Sequence, residues 1–444
     1  MSQFDLLRTT RFWPLFFTQL FGALNDNIYK NALVIFIAFT LAEKTGVNGS
    51  ILVIIAGGIF ILPYFLFSAF AGQVADKYEK SCLIRRIKIA EILIMCLATA
   101  GFLSQSVIIL MTVLFLMGLQ STFFGPLKYG ILPQHLQEEE LTGGNGLVQM
   151  GTYLAILGGT ITGGILVAAD QWGPIYVSVT VISVAVLGWY VSRYIPFAAA
   201  SDDSMLIDWN FMRQTYRIIR YSVSDKSIYM IIIAISWFWF IGATFLSLVP
   251  GYTREILSGN EHVATLLLTA FSVGIGTGSL SCEKLSRGRI EPGLVPVGAI
   301  GISLFSLDLF FVGNPRIEIF QGSMVMASVF LADPECWRIL MDLILIGFFG
   351  GIYIVPLYAL LQHRAEPHHR ARVIASTNIF NALFMVASAV VTTFLIHRSV
   401  PVPTIFLFLA CTSACFTAYI FIRFREFFHK FVRLLGSIFR WQGG

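Results

Sequence analysis

The sequence predicts an all-α membrane protein, with about twelve transmembrane helices in two six-helix halves. Three observations predict it: the composition, a succession of apolar stretches of membrane-spanning length, and a one-sided distribution of basic residues. Of 444 residues, 56% are hydrophobic and only 12% charged, whereas a soluble protein carries about 25% charged residues. Forty Phe suit lipid contact, and 38 Gly allow helices to approach closely in a bilayer. The six cysteines (82, 96, 282, 336, 411 and 415) fall mostly in or beside apolar stretches. Only Cys411 and Cys415 are neighbours, so neither a disulfide framework nor a metal set is indicated, and no cofactor is expected.

A span needs about 20 mostly apolar residues. Stretches of that kind fall at 12–41, 50–75, 84–104, 106–126, 146–168, 174–194, 228–252, 262–282, 293–314, 338–362, 372–397 and 402–424. The short polar lead runs directly into the first of them, which reads as a signal anchor rather than a cleavable signal peptide. With the N-terminus inside, twenty-four of the 30 Lys and Arg lie on the inner side. Lys44, Arg254, Arg316, Arg338 and Arg398 lie outside, and Lys30 lies within a span. That asymmetry predicts both termini in the cytoplasm. The net charge of +5 is therefore a topology signal, and no nucleic acid partner is implied. The expected organisation is an N-terminal half at 1–194, a cytoplasmic linker at 195–227, a C-terminal half at 228–424 and a basic amphipathic tail at 425–444. Within the linker, Trp209 to Tyr221 alternates aromatic, aliphatic and basic residues as an interfacial helix does. The tail fits either a helix on the inner leaflet or a plain basic anchor.

The first span is unusual. Asn25, Asp26, Asn27, Lys30 and Asn31 sit inside a run of Phe, Leu and Ile. One unpaired charge at mid-bilayer costs roughly 2.5–3.5 kcal/mol on insertion scales, so such groups face a protein interior or a wet cavity. Asp26 and Lys30 are four apart, share a helix face and can neutralise each other. Gln19, Gly22, Ala23, Asp26 and Lys30 form one stripe. Phe17, Phe21, Leu24, Ile28 and Ile35 fall opposite, where lipid is expected. A cation and an anion on adjacent turns, with three Asn as hydrogen-bond partners, can hold a phosphate-bearing head group. The plainer reading is an interhelical lock.

The two halves echo each other. GQVADKYEKSCLIRR (72–86) follows the second span and GSLSCEKLSRGR (278–289) the eighth. FGPLKYGILPQH (124–135) ends the fourth and IYIVPLYALLQH (352–363) the tenth, aligning Pro126 with Pro356 and His135 with His363. Parallel repeats of about six spans mark the major facilitator architecture, whose substrate site lies between halves near the midplane.

FGALNDNIYKNALVI, GQVADKYEK, FFGPLKYGILPQ and GGNGLV also resemble the lysophospholipid transporter family of that superfamily. They are most similar to the transporter module that some bacteria fuse to an acyltransferase and an acyl-carrier-protein synthetase. The resemblance covers nearly the whole chain. It is strongest through about residue 165 and in ISWFWFIGA. It implies a multi-pass protein of the bacterial inner membrane that moves lysophospholipids, such as lysophosphatidylethanolamine, toward the cytoplasmic leaflet for reacylation. Asp26 matches the first-span acid tied to transport in the family. No enzyme domain follows residue 424, so the implied acyltransferase partner is a separate protein.

Further candidates follow from local chemistry. Gly72, Asp76, Lys80, Arg85 and Arg86 form either an ordinary positive-inside loop or, by superfamily resemblance, a latch that governs switching. Pro126, Lys128, Tyr129 and Gly130 predict a bend or an end of the fourth span, with Lys128 available to a carboxylate among Glu138–Glu140 or to a phosphate. Trp237, Phe238, Trp239, Phe240 and Thr244 offer either an aromatic substrate wall or lipid-facing rings, and Asn378 and Asn381 are weaker candidates of the same kind. Glu91, Asp308 and Asp342 are the other in-span acids, and Arg338 is expected to pair with Asp342. Enzyme readings find no support: there is no G-x-x-x-x-G-K-[ST] loop and no His-x-x-x-x-Asp motif. Two alternatives stay open: a proton-coupled exporter of amphipathic drugs or small metabolites, and a non-transporting partner that recruits an acyltransferase.

Overall fold

The computed structural model describes residues 3–37, 49–169, 172–312, 324–423 and 426–433. Among them eleven helices are long and apolar enough to cross a membrane. We number the helices α1 (Trp13–Phe36), α2 (Gly49–Lys77), α3 (Lys80–Ser104), α4 (Val107–His135), α5 (Glu138–Val167), α6 (Gly173–Ser192), α7 (Phe211–Ser224), α8 (Lys226–Glu255), α9 (Glu261–Ser286), α10 (Leu294–Val312), α11 (Ala327–Ala332), α12 (Pro334–Arg364), α13 (Arg370–His397) and α14 (Val402–Arg423). α1 is the twelfth long helix. Its 24 residues extend about 36 Å at ~1.5 Å per residue, enough to span, while its polar cluster lowers its hydropathy. Residues 38–41 of the expected first span, Lys44, Arg316 and 434–444 of the tail lie outside the described residues.

Local chemistry sets the helix ends. Pro14 opens α1, where a missing N–H costs nothing. Glu79 caps α3 by accepting from Ser81 N and Cys82 N, and Asn210 caps α7 by accepting from Arg213 N. The fourth span was expected to bend or end at Pro126, and it does not end there. α4 neither ends nor breaks at Pro126 but runs through Pro126 and Pro133 to His135, and α12 likewise runs through Pro356. Packing on all sides holds the helix where the ladder loses one hydrogen bond, for Pro126, Leu127, Tyr129 and Gly130 are all buried.

The chain forms two compact units. The first comprises Met1–Gln137, Leu154–Tyr229 and Leu361–Ala382, and the second Glu138–Tyr153, Met230–Leu360 and Leu383–Gly444. The start of α13 therefore groups with the first unit and the start of α5 with the second.

In the first unit α2 packs on α4 and α7, α3 on α4 and α6, and α1 on α6. Ile28, Tyr29, Leu33, Met95, Phe102, Leu110 and Val181 lie in its core. Ile28 was expected at lipid but is buried there, because α1 is covered on that side by α5. Gly159 and Gly163 of α5 lie against the backbone of Leu24 and Ile28. This small-xxx-small contact lets two backbones meet. In the second unit the same device recurs twice: Gly274 and Gly278 of α9 meet Ile344 and Phe348 of α12, while Gly347 and Gly351 of α12 meet Phe271 and Ile275 of α9. Arg338 pairs there with Asp308 of α10, not with Asp342 as its spacing predicts. The long guanidinium reaches the neighbouring helix, and Asp342 is left buried.

Candidate functional site

The polar turn of α1 divides its side chains among three neighbours. Asn25 is fully buried and donates Nδ2 to Glu91 Oε1 of α3 at 3.0 Å. Glu91 Oε2 takes Lys88 Nζ at 2.6 Å and Gln120 Nε2 of α4 at 3.0 Å. Lys88 and Glu91 are 0% and 3% exposed, so this is a buried ion pair whose carboxylate accepts three hydrogen bonds. Lys88, one of the twenty-four basic residues counted on the inner side, is thus an interior residue of α3. Its ammonium occupies the space beside Gly22, where an added Cβ would stand 2.6 Å from Nζ.

Asp26 points to α4, where Ser121 Oγ donates to its Oδ2 at 2.8 Å. Ser121 Oγ also lies 3.2 Å from Gln120 Oε1, so the Asp26 carboxylate and the Lys88–Glu91 pair are joined through two consecutive side chains of α4. Lys30 does not reach Asp26, despite the i, i+4 spacing. Its ammonium lies 4.5 Å from the centre of the Phe60 ring of α2, a cation–π contact, and it makes no ion pair within 4 Å among the described residues. Asn27 donates to Ala23 O at 2.7 Å and Asn31 to Thr160 O of α5 at 2.6 Å. Each amide thus gives one N–H to a backbone carbonyl, Asn27 within α1 and Asn31 across to α5. Because α5 meets α1 through Gly159 and Gly163, Gly163→Val should overpack this contact and destabilise the protein by about 1–3 kcal/mol. Thermal unfolding in detergent checks that value, and an unshifted midpoint would show that the contact yields.

A second cluster gathers around Asp76 at the end of α2. Asp76 is 0% exposed. Its carboxylate accepts from Ala371 N at 3.1 Å, Arg372 N at 3.3 Å and Arg372 Nε at 3.0 Å at the start of α13. Gly72, one turn earlier, admits α13: an added Cβ would lie 2.8 Å from Ala375 Cβ and 2.9 Å from Arg372 Cα. The linker closes on the same loop. Lys80 Nζ donates to Ala199 O and Ser201 Oγ, both at 2.9 Å. Ser201 N donates to Asp76 O at 2.8 Å, and Arg85 Nη2 to Ser81 Oγ at 2.9 Å. Glu79 accepts from Ala198 N at 2.9 Å. Burial opposes its ionisation, but this bond and those from Ser81 and Cys82 hold its carboxyl below the usual range. At Gly130 an added Cβ would make only ordinary contact with Lys80 Cε, at 3.7 Å. Arg86 takes no part in this cluster and points outward on α3.

The remaining candidates stand apart. Lys128 lies over Tyr129 at 4.6 Å, without a carboxylate within 4 Å among the described residues. Asn378 of α13 sits against Gly125 of α4, with an added Cβ there 2.7 Å from its Nδ2. In the second unit Trp237 stacks between Phe240 and Phe416 at 5.0 and 4.9 Å. Trp239 Nε1 lies 3.4 Å from Tyr358 Oη. These rings are anchored within the unit. Sequence reading missed Gln120 and Ser121, the interior role of Lys88, and the glycine contact. The signals were present as Gln-Ser in an apolar span and Gly159-x-x-x-Gly163 on α5.

The Major Facilitator Superfamily profile matches residues 15–389. The chain belongs to the major facilitator superfamily. It is thus a multi-pass membrane transporter, in keeping with the twelve long helices among the described residues. Among solved structures, the human organic anion transporter MFSD10 superposes with a TM-score of 0.68 at 13% identity, covering 92% of this chain and 99% of that one. A variant of the E. coli fucose:proton symporter FucP gives 0.66 at 14% identity, covering 94% and 100%. At this identity both speak for the fold alone. By sequence, the proteins named lysophospholipid transporter LplT from Yersinia pestis (strain Pestoides F) and Yersinia pseudotuberculosis serotype O:3 (strain YPIII) are each 27% identical over 317 residues, 69% of this chain and 68% of theirs.

Proposed function

We propose that this transporter moves lysophospholipids, such as lysophosphatidylethanolamine, across the bacterial inner membrane toward the cytoplasmic leaflet, by alternating access. The observation that carries the reading is the α1 turn. Asp26 is held by Ser121, while the Lys30 ammonium rests on an aromatic ring rather than on a carboxylate. An anion and a cation one turn apart suit a zwitterionic head group: the ammonium of the lipid meets Asp26 and its phosphate meets Lys30. The LplT relatives support the same substrate class. Asp76 and Arg372 act as the latch between α2 and α13, with Gly72 and Lys80 completing it. Both termini are cytoplasmic in this account, and reacylation falls to a separate acyltransferase.

Uptake of labelled lysophosphatidylethanolamine into spheroplasts tests the reading. Unlabelled lysophospholipid should compete and cationic amphipathic drugs should not. Competition by the drugs alone, together with dependence on a proton gradient, would instead make the protein a proton-coupled drug exporter.

A further inference from the structure

On the outer side of the first unit, two apolar cavities of about 250 and 380 Å³ lie along α3 and α4 and share Ile87, Ala90 and Phe123. They therefore form one continuous groove. Along α4 it runs from Leu127 to Leu116, about 16 Å at ~1.5 Å per residue. Small residues of α2, Ala71 and Ala75, leave room at one end. The lining surface is almost wholly apolar, and two polar residues contribute their aliphatic stems to it. Arg86 stands at the end nearest the start of α3 and is exposed, with no hydrogen bond or ion pair to the described residues. Gln120 stands deeper, and its amide is the same one that donates to Glu91 and adjoins Ser121 beside Asp26.

We propose that this groove is a lateral binding site for one lysophospholipid molecule, with its phosphate on Arg86 and its single acyl chain along Ile87, Ala90 and Phe123. Charge complementarity favours this occupant. A free guanidinium at the rim matches a phosphodiester, and an apolar trough about 16 Å long along α4 matches an acyl chain. The proposal deepens the transport reading and rests on it: the groove is a release position at the cytoplasmic leaflet, and Gln120 connects it through Ser121 to the Asp26 turn.

The test needs no transport. The full-length protein in nanodiscs is exposed to a lysophosphatidylethanolamine carrying a diazirine in its acyl chain, irradiated, digested and mapped by mass spectrometry. Label should concentrate on residues 83–94 and 116–127. Ala90→Trp, at an exposed position where bulk fills the groove without entering the core, should lower that labelling about tenfold, a loss of ~1.4 kcal/mol in binding. Arg86→Gln should lower it as well. Label spread evenly over all lipid-facing helices, or unchanged in Ala90→Trp, would overturn the proposal. So would equal labelling by a diacyl lipid with the same diazirine, which would make this a general lipid contact. Concentrated labelling without translocation by the wild type would retain the groove and reject the transport reading.

Discussion

Replacing Lys88 by Met should destabilise the protein by about 3–5 kcal/mol, because Glu91 is then left charged, buried and without its cation. The double variant Lys88→Met/Glu91→Met should recover only part of that loss, since it removes the unpaired buried charge but leaves the Asn25 and Gln120 amides without their acceptor. Thermal unfolding of the purified protein measures both. The pair is 2.6 Å apart and almost inaccessible, so solvent does not soften the effect. Transport separates a structural role from a positioning one. Glu91 also accepts from Asn25 and Gln120, and Gln120 neighbours the serine that holds Asp26. If the network aligns Asp26, the double variant will be more stable than Lys88→Met yet transport poorly. Full transport by a stable double variant would reduce the pair to packing.

Asp76→Asn should have the second large effect. The carboxylate accepts two backbone N–H groups and the Arg372 guanidinium, and an amide of the same shape offers one acceptor oxygen and turns an NH₂ against the remaining donors. A loss of about 3 kcal/mol is expected, in line with charge-assisted hydrogen bonds at a buried site. The conformational consequence is separable from stability. Ser376 lies on the same part of α13 and is 0% exposed. In a cysteine-free background, Ser376→Cys should react slowly with a maleimide, and the added Asp76→Asn should speed that reaction severalfold. Equal reactivity with and without Asp76 would mean that the cluster does not hold α13 on α2.

Most of the fold was legible because membrane spans are long, apolar and separated by basic loops. Even α1, the most polar span, was recognisable from the Phe and Leu around its Asn residues. The pairing of side chains was not. An i, i+4 spacing puts Asp26 near Lys30 and Arg338 near Asp342, but spacing along one helix says nothing of a better partner on the next. Ser121 and Asp308 are those partners. Lys88 counted only as one more inner-side basic residue, and only the packing of α1 and α4 against α3 reveals its partner Glu91, which Asn25 and Gln120 also hold. The Asp76 loop was recognisable as a candidate latch, whereas its closure by the strap at 195–202 depends on backbone N–H groups that carry no side-chain signature.

The most direct measurement of the central claim is lysophosphatidylethanolamine translocation in proteoliposomes, comparing wild type with Asp26→Ala. Labelled lipid is placed in one leaflet and followed to the other, with and without a proton gradient. The account predicts transfer by the wild type well above the protein-free rate and its loss in Asp26→Ala, with the variant still folded by thermal unfolding. A wild type that stays at the protein-free rate under both conditions would contradict it.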